Sequence, residues 1–320
     1  MNKYIDLALR IPVGPGTQAV SYNPVTLAAA NRPLPLELRL SIPAGDDRVP
    51  VILLSHGGGA SRYLPSKDGY SPLADFYASH GFAVIQPTHL SSKIGGLGLD
   101  PSAPGHSMFW RSRIDDMRLI LDRLEEIEAQ ARIPGRLDGD RVAVMGHSAG
   151  AQTAGLLLGA SLPGEPSTLD PRIKAGVLLA PVGNGDGLLP AVLGRYPELD
   201  LDFSSLATKT LVVCGDQDDS PYLTFRGPAW HTDPYTHAVG ADALLTLIGG
   251  KHFLGGIMGY DLKETDDEDP ERLAITQRMT WAYLSSALGV DETAWPAATH
   301  ALAENCAELA TVTSKEELGG

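Results

Sequence analysis

Cysteine is scarce in this 320-residue chain, which contains only Cys214 and Cys306. Two cysteines are too few for a disulfide framework and are typical of a reducing compartment, so we expect both to be free thiols. Cys214 lies in an apolar run and is interpreted as a small, buried strand residue. The sequence therefore indicates a fold that does not depend on disulfide bonds.

Positive charge and long apolar runs are also in short supply. Lysine and arginine total 25 against 39 aspartates and glutamates, and the formal net charge of −14 would repel phosphate backbones and anionic membranes. No window approaches the ~18 apolar residues that span a bilayer, and the first residues contain no apolar stretch of the signal-peptide kind. We expect no nucleic-acid partner, no membrane span and a cytoplasmic location.

The overall composition is that of a folded, loop-rich protein. Hydrophobic residues make up 43% of the chain and charged residues 20%, beside 35 glycines and 24 prolines. The length exceeds that of a typical domain, but α/β enzymes often build this many residues around one sheet. Because no linker or internal repeat divides the sequence, we predict a single domain over residues 1–320.

Short continuous apolar runs dominate the middle of the chain. Such runs are typical of strands that are buried on both faces of a parallel sheet. Before them, residues 5–13 and 36–42 alternate apolar and polar side chains, as half-exposed antiparallel strands do. The predicted parallel strands cover residues 51–55, 82–85, 142–145, 175–179, 211–214 and 244–248.

Helical patterns lie between several of these runs, at residues 71–80 and 108–131, after Ser148, and at residues 270–288. In the second, apolar side chains recur at three- and four-residue spacing, which forms a stripe that faces a core. The alternation of strands and helices implies right-handed βαβ crossovers. The predicted fold class is α/β, a mostly parallel, doubly wound sheet with antiparallel N-terminal edge strands and helices on both faces.

Two connections are longer than usual, at residues 90–107 and 182–205. Both follow strands, at the edge where open α/β sheets bind ligands, so they are candidates for substrate-covering loops. The alternative is that they are exposed insertions without such a role. The acidic run 261–271 is interpreted as a solvated loop that enters the last helix, and the end from Thr311 as frayed.

A Gly-x-Ser-x-Gly pattern from Gly146 to Gly150 follows the predicted strand 142–145 and begins a helix of small residues. A serine hydroxyl is a poor nucleophile at neutral pH, so it needs a nearby base and a backbone that projects it from the sheet. Glycine at the two flanking positions permits the sharp strand-to-helix turn that does this. The context predicts Ser148 as a nucleophile.

A base and an acid follow Ser148 along the chain. His252 comes shortly after the predicted strand 244–248, and three carboxylates, Asp216, Asp218 and Asp219, follow strand 211–214. The order serine, acid, histidine is that of α/β-hydrolases and differs from the orders in chymotrypsin and subtilisin. The acid would hold the imidazole tautomer and stabilise the imidazolium.

Attack on a carbonyl develops negative charge on its oxygen, and two backbone N–H groups are needed to receive it. One is expected from Ala149, directly after the nucleophile. The other is expected from residues 55–59, Ser-His-Gly-Gly-Gly, which are similar to the His-Gly-Gly-Gly oxyanion loop of lipases and esterases. Gly58 is the first candidate and Gly59 the second, with His56 bracing the loop.

On these motifs the chain resembles α/β-hydrolases of the branch that contains dienelactone hydrolase-like proteins, chlorophyllases and platelet-activating-factor acetylhydrolase-like esterases. The resemblance covers roughly residues 36–290 and rests on Ser-His-Gly-Gly-Gly, Gly-His-Ser-Ala-Gly, Gly-Asp-Gln-Asp and Lys-His-Phe. It implies Asp218 as the acid, with Asp216 and Asp219 as alternatives. Dienelactone hydrolases carry cysteine where this chain has Ser148, and the serine favours ordinary ester hydrolysis.

Four further residues are candidates for substrate binding. Tyr63 and Met108 adjoin loops near the expected site, and His89 borders the first long loop, so each could form part of the pocket wall. His147, beside the nucleophile, occupies a position where lipases commonly have histidine.

Metal and cofactor sites are not predicted. His231 and His237 flank Asp233 in a proline-rich loop, but they lack the short helical spacing of zinc ligands. The glycine-rich stretch 95–98 lacks the strand and helix that a nucleotide site needs.

The sequence therefore predicts a serine esterase that acts on a small-molecule ester through an acyl-enzyme at Ser148. His252 would be the base and acid, and Asp218 would orient it. The same residues could support thioester, lactone or C–C bond hydrolysis or acyl transfer, because fold and function separate in this class. A non-catalytic binding protein with a hydrolase fold is the remaining alternative.

Overall fold

The structure is a computed structural model that describes residues 5–30, 32–58, 63–97, 99–100, 103, 106–259 and 265–315. Within these residues, one sheet contains nine strands. They are β1 (Ala19–Leu27), β2 (Leu36–Pro43), β3 (Val49–Ser55), β4 (Ala83–Pro87), β5 (Leu137–His147), β6 (Ile173–Leu179), β7 (Lys209–Gly215), β8 (Ala241–Leu247) and β9 (Ala310–Ser314).

The strands lie side by side in the order β1-β2-β4-β3-β5-β6-β7-β8-β9. Neighbours from β4 to β8 run parallel, whereas β1 with β2, β2 with β4, and β8 with β9 pair antiparallel. This order confirms the predicted α/β class, the mostly parallel sheet and the antiparallel N-terminal edge. All six predicted parallel strands are present, as β3 to β8.

Helices cover both faces of the sheet. The α-helices of the described residues are α1 (Ser71–Ser79), α2 (Trp110–Asp122), α3 (Leu124–Ala131), α4 (Ala149–Leu158), α5 (Pro190–Arg195), α6 (Asp233–His237), α7 (Pro270–Ala287) and α8 (Ala294–Asn305). Helices α2 to α6 share one core, and α1, α7 and α8 share the other. None of the helices in these residues has the length and apolar character needed to cross a membrane.

Strand β3 illustrates why the central runs are continuously apolar. Val51 and Leu53 point into the core beneath α2 to α4, whereas Ile52 and Leu54 point into the core beneath α1 and α7. Successive side chains of a strand alternate between its two faces, so a strand covered on both faces needs apolar residues at every position.

The prediction of a strand at residues 5–13 is wrong. This segment contains a short 3-10 turn, Ala8–Arg10, and the backbone N–H groups of residues 6, 7 and 8 donate to the carboxylate of Glu271 at the start of α7. Ile11 is fully buried in the core beneath α7 and α8. The apolar alternation therefore reflects packing against helices, and the first strand is β1.

Two predictions near the C-terminal end are also wrong. Thr311 to Ser314 belong to β9, which pairs with β8, and residues 316–320 lie outside the described residues. Helix α8 follows α7 and was not predicted. The acidic run is not wholly solvated, because Asp267 is buried and its carboxylate accepts hydrogen bonds from the N–H groups of Lys251 (2.9 Å) and Gly255 (3.4 Å). Residues 261–264 of that run lie outside the described residues.

The predicted helix at 108–131 is divided. Arg123, with φ −126° and ψ 26°, separates α2 from α3, and a 3-10 turn precedes α2. The predicted apolar stripe does face a core, since Ile114, Met117 and Ile127 are buried. The helices at 71–80 and 270–288 are confirmed as α1 and α7.

Two glycines make the turn from β5 into α4 sterically feasible. A Cβ atom at Gly146 would lie 1.9 Å from the carbonyl oxygen of Gly150, and a Cβ at Gly150 would lie 2.0 Å from that of Ser55. Both distances are far inside van der Waals contact, and the atoms that would have to move are backbone atoms. The need for glycine at these positions is therefore steric.

We expect Gly150→Ala to lower the free energy of unfolding by about 3 kcal/mol or more, because the new methyl group can be fitted only by separating α4 from β3. Denaturant titration of the purified variant measures this loss. Gly194→Ala in α5 is the matched control: no atom lies within 4 Å of its added Cβ, so its stability should equal or slightly exceed that of the wild type. Equal unfolding free energies for Gly150→Ala and wild type would contradict the steric explanation.

Candidate active site

Ser148 lies on the turn between β5 and α4. Its backbone has φ 55° and ψ −117°, a conformation that is strained for a residue with a side chain, and its N–H donates to the carbonyl oxygen of Leu179 on β6 (3.0 Å). Ala149 begins α4, so its N–H has no acceptor within the helix. The Ser148 hydroxyl is thus presented at the positive end of a helix dipole, beside an N–H that has no acceptor among the described residues.

Asp218 and His252 meet at the same edge of the sheet, after the adjacent strands β7 and β8. His252 Nδ1 lies 2.9 Å from Asp218 Oδ2, so the protonated Nδ1 donates to the carboxylate and leaves Nε2 free to accept a proton. Burial alone would raise the pKa of Asp218, but the hydrogen bond from His252 and the charge of that ring bring it below its ordinary value. Asp218 is therefore ionised at neutral pH.

The two alternative carboxylates do not contact His252. Asp216 is exposed and accepts a hydrogen bond from the N–H of Gly249 (2.6 Å), and Asp219 is exposed. Of the three carboxylates after β7, the structure brings Asp218 to the histidine.

Ser148 and His252 line one cavity of about 270 Å³. Among the described residues, no group is hydrogen-bonded to the Ser148 hydroxyl. Hydrogen bonds between a nucleophile and its base are often long without substrate and shorten when substrate binds. Leu64, Tyr222, Phe253 and Met258 supply the apolar wall of the cavity.

The segment after β3, which we call the glycine loop and which is described from His56 to Gly58, forms another wall of this cavity through Gly57 and Gly58. The N–H of Gly57 is engaged, since it donates to the Tyr70 hydroxyl (3.0 Å). No acceptor for the Gly58 N–H occurs in the part of the chain that the structure describes. Gly59, the second candidate, lies outside the described residues.

His147 forms hydrogen bonds that connect the loop carrying His252 to Tyr70, the partner of the Gly57 N–H. Its Nε2 lies 2.8 Å from the carbonyl oxygen of His252 and so donates to it, and its Nδ1 accepts from the Tyr70 hydroxyl (2.7 Å). Burial, and then the charge of His252, lowers the pKa of His147 to about 3, which keeps the ring neutral. His147 also lines the cavity, and its role in substrate binding stays a prediction.

Three other substrate-binding candidates are not among the described residues that line the cavity. Tyr63 is largely exposed, and its neighbour Leu64 takes the lining position. Met108 lies in the 3-10 turn before α2, with φ 49°. His89 is fully buried below the glycine loop. Proximity in sequence to a loop did not specify which side chain turns inward.

The long connections also contribute no described residue to the cavity wall. The segment 182–205 is structured: it contains α5 and the 3-10 turns Gly185–Gly187 and Pro197–Leu199. Residues 98, 101–102 and 104–105 of the other connection lie outside the described residues. A covering role for either connection stays a prediction.

His89 belongs to a second arrangement of serine, histidine and aspartate. Its Nδ1 donates to Asp116 (2.8 Å), and its Nε2 accepts from the Ser55 hydroxyl (3.0 Å). All three residues are buried, and Ser55 Oγ also accepts a hydrogen bond from the Arg113 guanidinium (3.2 Å). Ser55 is therefore inaccessible to a substrate, and the Arg113 guanidinium holds its oxygen in place. The arrangement is structural.

His231 approaches the carboxylate oxygen of Asp218 that does not bond to His252. Its Nδ1 donates to the carbonyl oxygen of Pro181 (2.5 Å), and its Nε2 lies 3.5 Å from Asp218 Oδ1. Burial lowers the pKa of His231, although the Asp218 carboxylate opposes this effect. No group of histidine, cysteine, aspartate and glutamate side chains suited to a metal ion occurs among the described residues.

Sequence reasoning missed several of these residues. Phe253 had a signal, as the last residue of the Lys-His-Phe motif. Arg113 also had one, because it lies on the apolar stripe of α2, one turn before Met117, where a charged residue must find buried partners. Tyr70, Tyr222 and Met258 come from separate segments, and nothing in their local sequence points to the cavity.

The strand order, the turn at Ser148 and the placement of Asp218 and His252 after successive parallel strands define an α/β-hydrolase fold. No protein-family model matches the chain. Over 258 residues it is 26% identical to a bis(hydroxyethyl) terephthalate hydrolase from Streptomyces coelicolor, and the aligned region covers 77% of this chain and 72% of that protein. The chain is thus similar to an ester hydrolase over most of its length.

Proposed function

We propose that this protein is a serine hydrolase that cleaves carboxylic esters through an acyl-enzyme on Ser148. The hydrogen bond of 2.9 Å between His252 Nδ1 and the buried Asp218, at the wall of the cavity that also holds Ser148, carries the proposal. It leaves His252 Nε2 as the basic nitrogen. The similarity to a terephthalate ester hydrolase supports the same reaction class.

In the first half of the reaction, His252 Nε2 removes the Ser148 proton as Ser148 Oγ attacks the ester carbonyl carbon. Asp218 stabilises the resulting imidazolium. The N–H groups of Ala149 and Gly58 receive the negative charge on the carbonyl oxygen, and each such donor is typically worth about 10²–10³-fold in kcat. The imidazolium then protonates the leaving alcohol.

In the second half, His252 removes a proton from water, which attacks the acyl-enzyme and releases the acid. Ser148 recovers its proton from the same imidazolium, so no cofactor is required by this scheme. The apolar side chains of Leu64, Tyr222, Phe253 and Met258 would hold the non-reacting part of the substrate. The substrate of the relative makes aromatic esters the first class to test.

Some finer assignments remain predictions: membership of the dienelactone hydrolase-like, chlorophyllase-like and platelet-activating-factor acetylhydrolase-like branch, the single-domain organisation and the cytoplasmic location. Matched ester, thioester and lactone substrates distinguish the ester reaction from the other reactions that the same residues could perform. Turnover confined to a non-ester class would replace the proposed reaction.

Reaction with a fluorophosphonate tests the nucleophile. We expect the folded protein to gain one covalent adduct, and peptide mass spectrometry should locate it on Ser148, because only a serine beside a base and N–H donors attacks such a phosphorus centre readily. Heat-denatured protein is the control and should remain unlabelled. A folded protein that shows neither labelling nor ester turnover would support the non-catalytic alternative.

A further inference from the structure

Hydrogen bonds from the protein interior hold the carbonyl oxygen of the Gly57–Gly58 peptide group. The Gly57 carbonyl oxygen accepts hydrogen bonds from His56 Nδ1 (2.8 Å) and Arg113 Nη1 (3.4 Å). The N–H of His89 donates to His56 Nε2 (3.1 Å), which fixes the proton of His56 on Nδ1. Both groups at the Gly57 oxygen are therefore donors.

A trans peptide group is planar, and its C=O and N–H bonds point in opposite directions. Anchoring the Gly57 oxygen toward the protein interior therefore aims the Gly58 N–H the other way, into the cavity that Gly57 and Gly58 line. Donors on the carbonyl also polarise the peptide, which makes its N–H a stronger donor. The direction and strength of this N–H depend on what holds the carbonyl.

Hydrogen bonds to several segments fix the position of the Arg113 side chain. Its guanidinium donates to Ser91 Oγ (2.6 Å), to Ser55 Oγ (3.2 Å) and, through Nε, to Thr153 Oγ1 (2.9 Å). It also donates to the carbonyl oxygen of His56, the residue before Gly57. The side chain thus spans β3, the segment after β4 and helix α4, and it holds two consecutive carbonyls of the glycine loop.

The positive charge of Arg113 is buried, and burial of a charge usually requires a carboxylate partner. The residue is 2% exposed, and none of its hydrogen bonds goes to a carboxylate in the described residues. Burial lowers its pKa to about 10, so the guanidinium remains protonated at neutral pH. Asp116, the carboxylate nearest in the network, is shared with Arg32 (2.5 Å) and His89. A buried, protonated guanidinium thus remains directed at the backbone of the glycine loop.

We propose that Arg113 is a positioning residue for ester hydrolysis, which orients and polarises the Gly57–Gly58 peptide so that the Gly58 N–H stabilises the developing oxyanion. This inference rests on the proposed function. Arg113 does not touch substrate, and it acts through the peptide group. A lysine cannot replace it, because one ammonium group does not reproduce the planar fork that reaches two carbonyls and three hydroxyls.

Arg113→Met and Arg113→Lys test the proposal, with p-nitrophenyl ester kinetics and binding of a trifluoromethyl ketone, whose serine adduct carries an anionic oxygen. We expect kcat to fall about 10–100-fold in both variants with KM within about twofold of wild type, since the donor acts on the transition state. The affinity for the ketone should fall by a factor similar to that for kcat/KM. A role limited to folding would not produce this matched loss.

Arg118→Met is the matched control. Arg118 lies on the same helix, α2, and its guanidinium donates to the carbonyl oxygen of Thr168 (2.8 Å), away from the glycine loop. It should keep wild-type kcat and ketone affinity. Thermal melting establishes which variants are folded. If Arg113→Met does not fold, the kcat and ketone affinity of Arg113→Lys test the proposed role.

The outcomes separate the two proposals. An inactive, unlabelled wild type would overturn the proposed function itself. An active wild type together with a folded Arg113 variant of unchanged kcat and ketone affinity would overturn the role of Arg113 alone. A folded variant with raised KM and unchanged kcat would also overturn it, because that result indicates lost ground-state binding.

Discussion

Ser148→Ala is expected to lower kcat for a p-nitrophenyl ester by about 10⁴–10⁶-fold, because the variant has no nucleophile to form the acyl-enzyme. Its fold should be unchanged, since the Ser148 hydroxyl has no hydrogen-bond partner among the described residues. The residual rate would come from the N–H groups of Ala149 and Gly58 acting on attack by water. Steady-state kinetics and the melting temperature measure the two effects separately.

Ser167→Ala serves as the control for this substitution. Ser167 is exposed, and its hydroxyl accepts one hydrogen bond from the N–H of Leu169 (3.3 Å). Its turnover should match that of the wild type. Substantial turnover by purified Ser148→Ala would show that another group is the nucleophile.

Asp218→Asn is expected to lower kcat by about 10³–10⁴-fold. The carboxylate accepts the Nδ1 proton of His252, so Nε2 is the nitrogen that can act as a base. An asparagine that turns its NH₂ group toward His252 would favour the tautomer protonated at Nε2, which cannot remove the Ser148 proton. It would also remove the negative charge that stabilises the imidazolium. Kinetics from pH 6 to 9, where Asp218 is ionised in the wild type, give the measurement.

Asp219→Asn, one residue further along the chain, is the matched control and should retain wild-type kcat because this carboxylate is exposed and does not contact His252. Asp216→Asn distinguishes the other alternative. If Asp218→Asn stayed active while Asp216→Asn lost activity, the acid would be Asp216, and the hydrogen bond at Asp218 would have only a structural role.

The central sheet was predictable because its strands are covered on both faces. Burial on both faces demands continuous apolar runs, and such runs stand out in sequence, as at Val51 to Leu54. The chain order of Ser148, Asp218 and His252 was equally visible, since parallel strands deliver their following loops to one edge. These features depend on local pattern and on topology, both of which a single sequence carries.

The edge strands and the contacts between segments were not predictable in the same way. Strand β1 has mostly exposed side chains and an internal proline, Pro24, so it lacks the apolar pattern of a core strand. His89 follows β4, as a pocket residue would, but its ring turns beneath the glycine loop toward Asp116. The hydrogen bonds of Tyr70 to Gly57 and His147 join residues far apart in sequence, and no spacing rule encodes them.

The two outer strands also determine whether the sheet can pair with a strand of another molecule. A free strand edge is a template for pairing with another chain, and proteins avoid this with short, polar or irregular edge strands. At one margin, β1 has a register shift between Tyr22 and Val25, and Pro24 offers no N–H. At the other, the five-residue β9 covers β8, the strand that leads to His252, and exposes Thr311 and Thr313. Among the described residues the sheet thus ends on both sides in poor templates for intermolecular strand addition, and β8, the strand before His252, has no free edge.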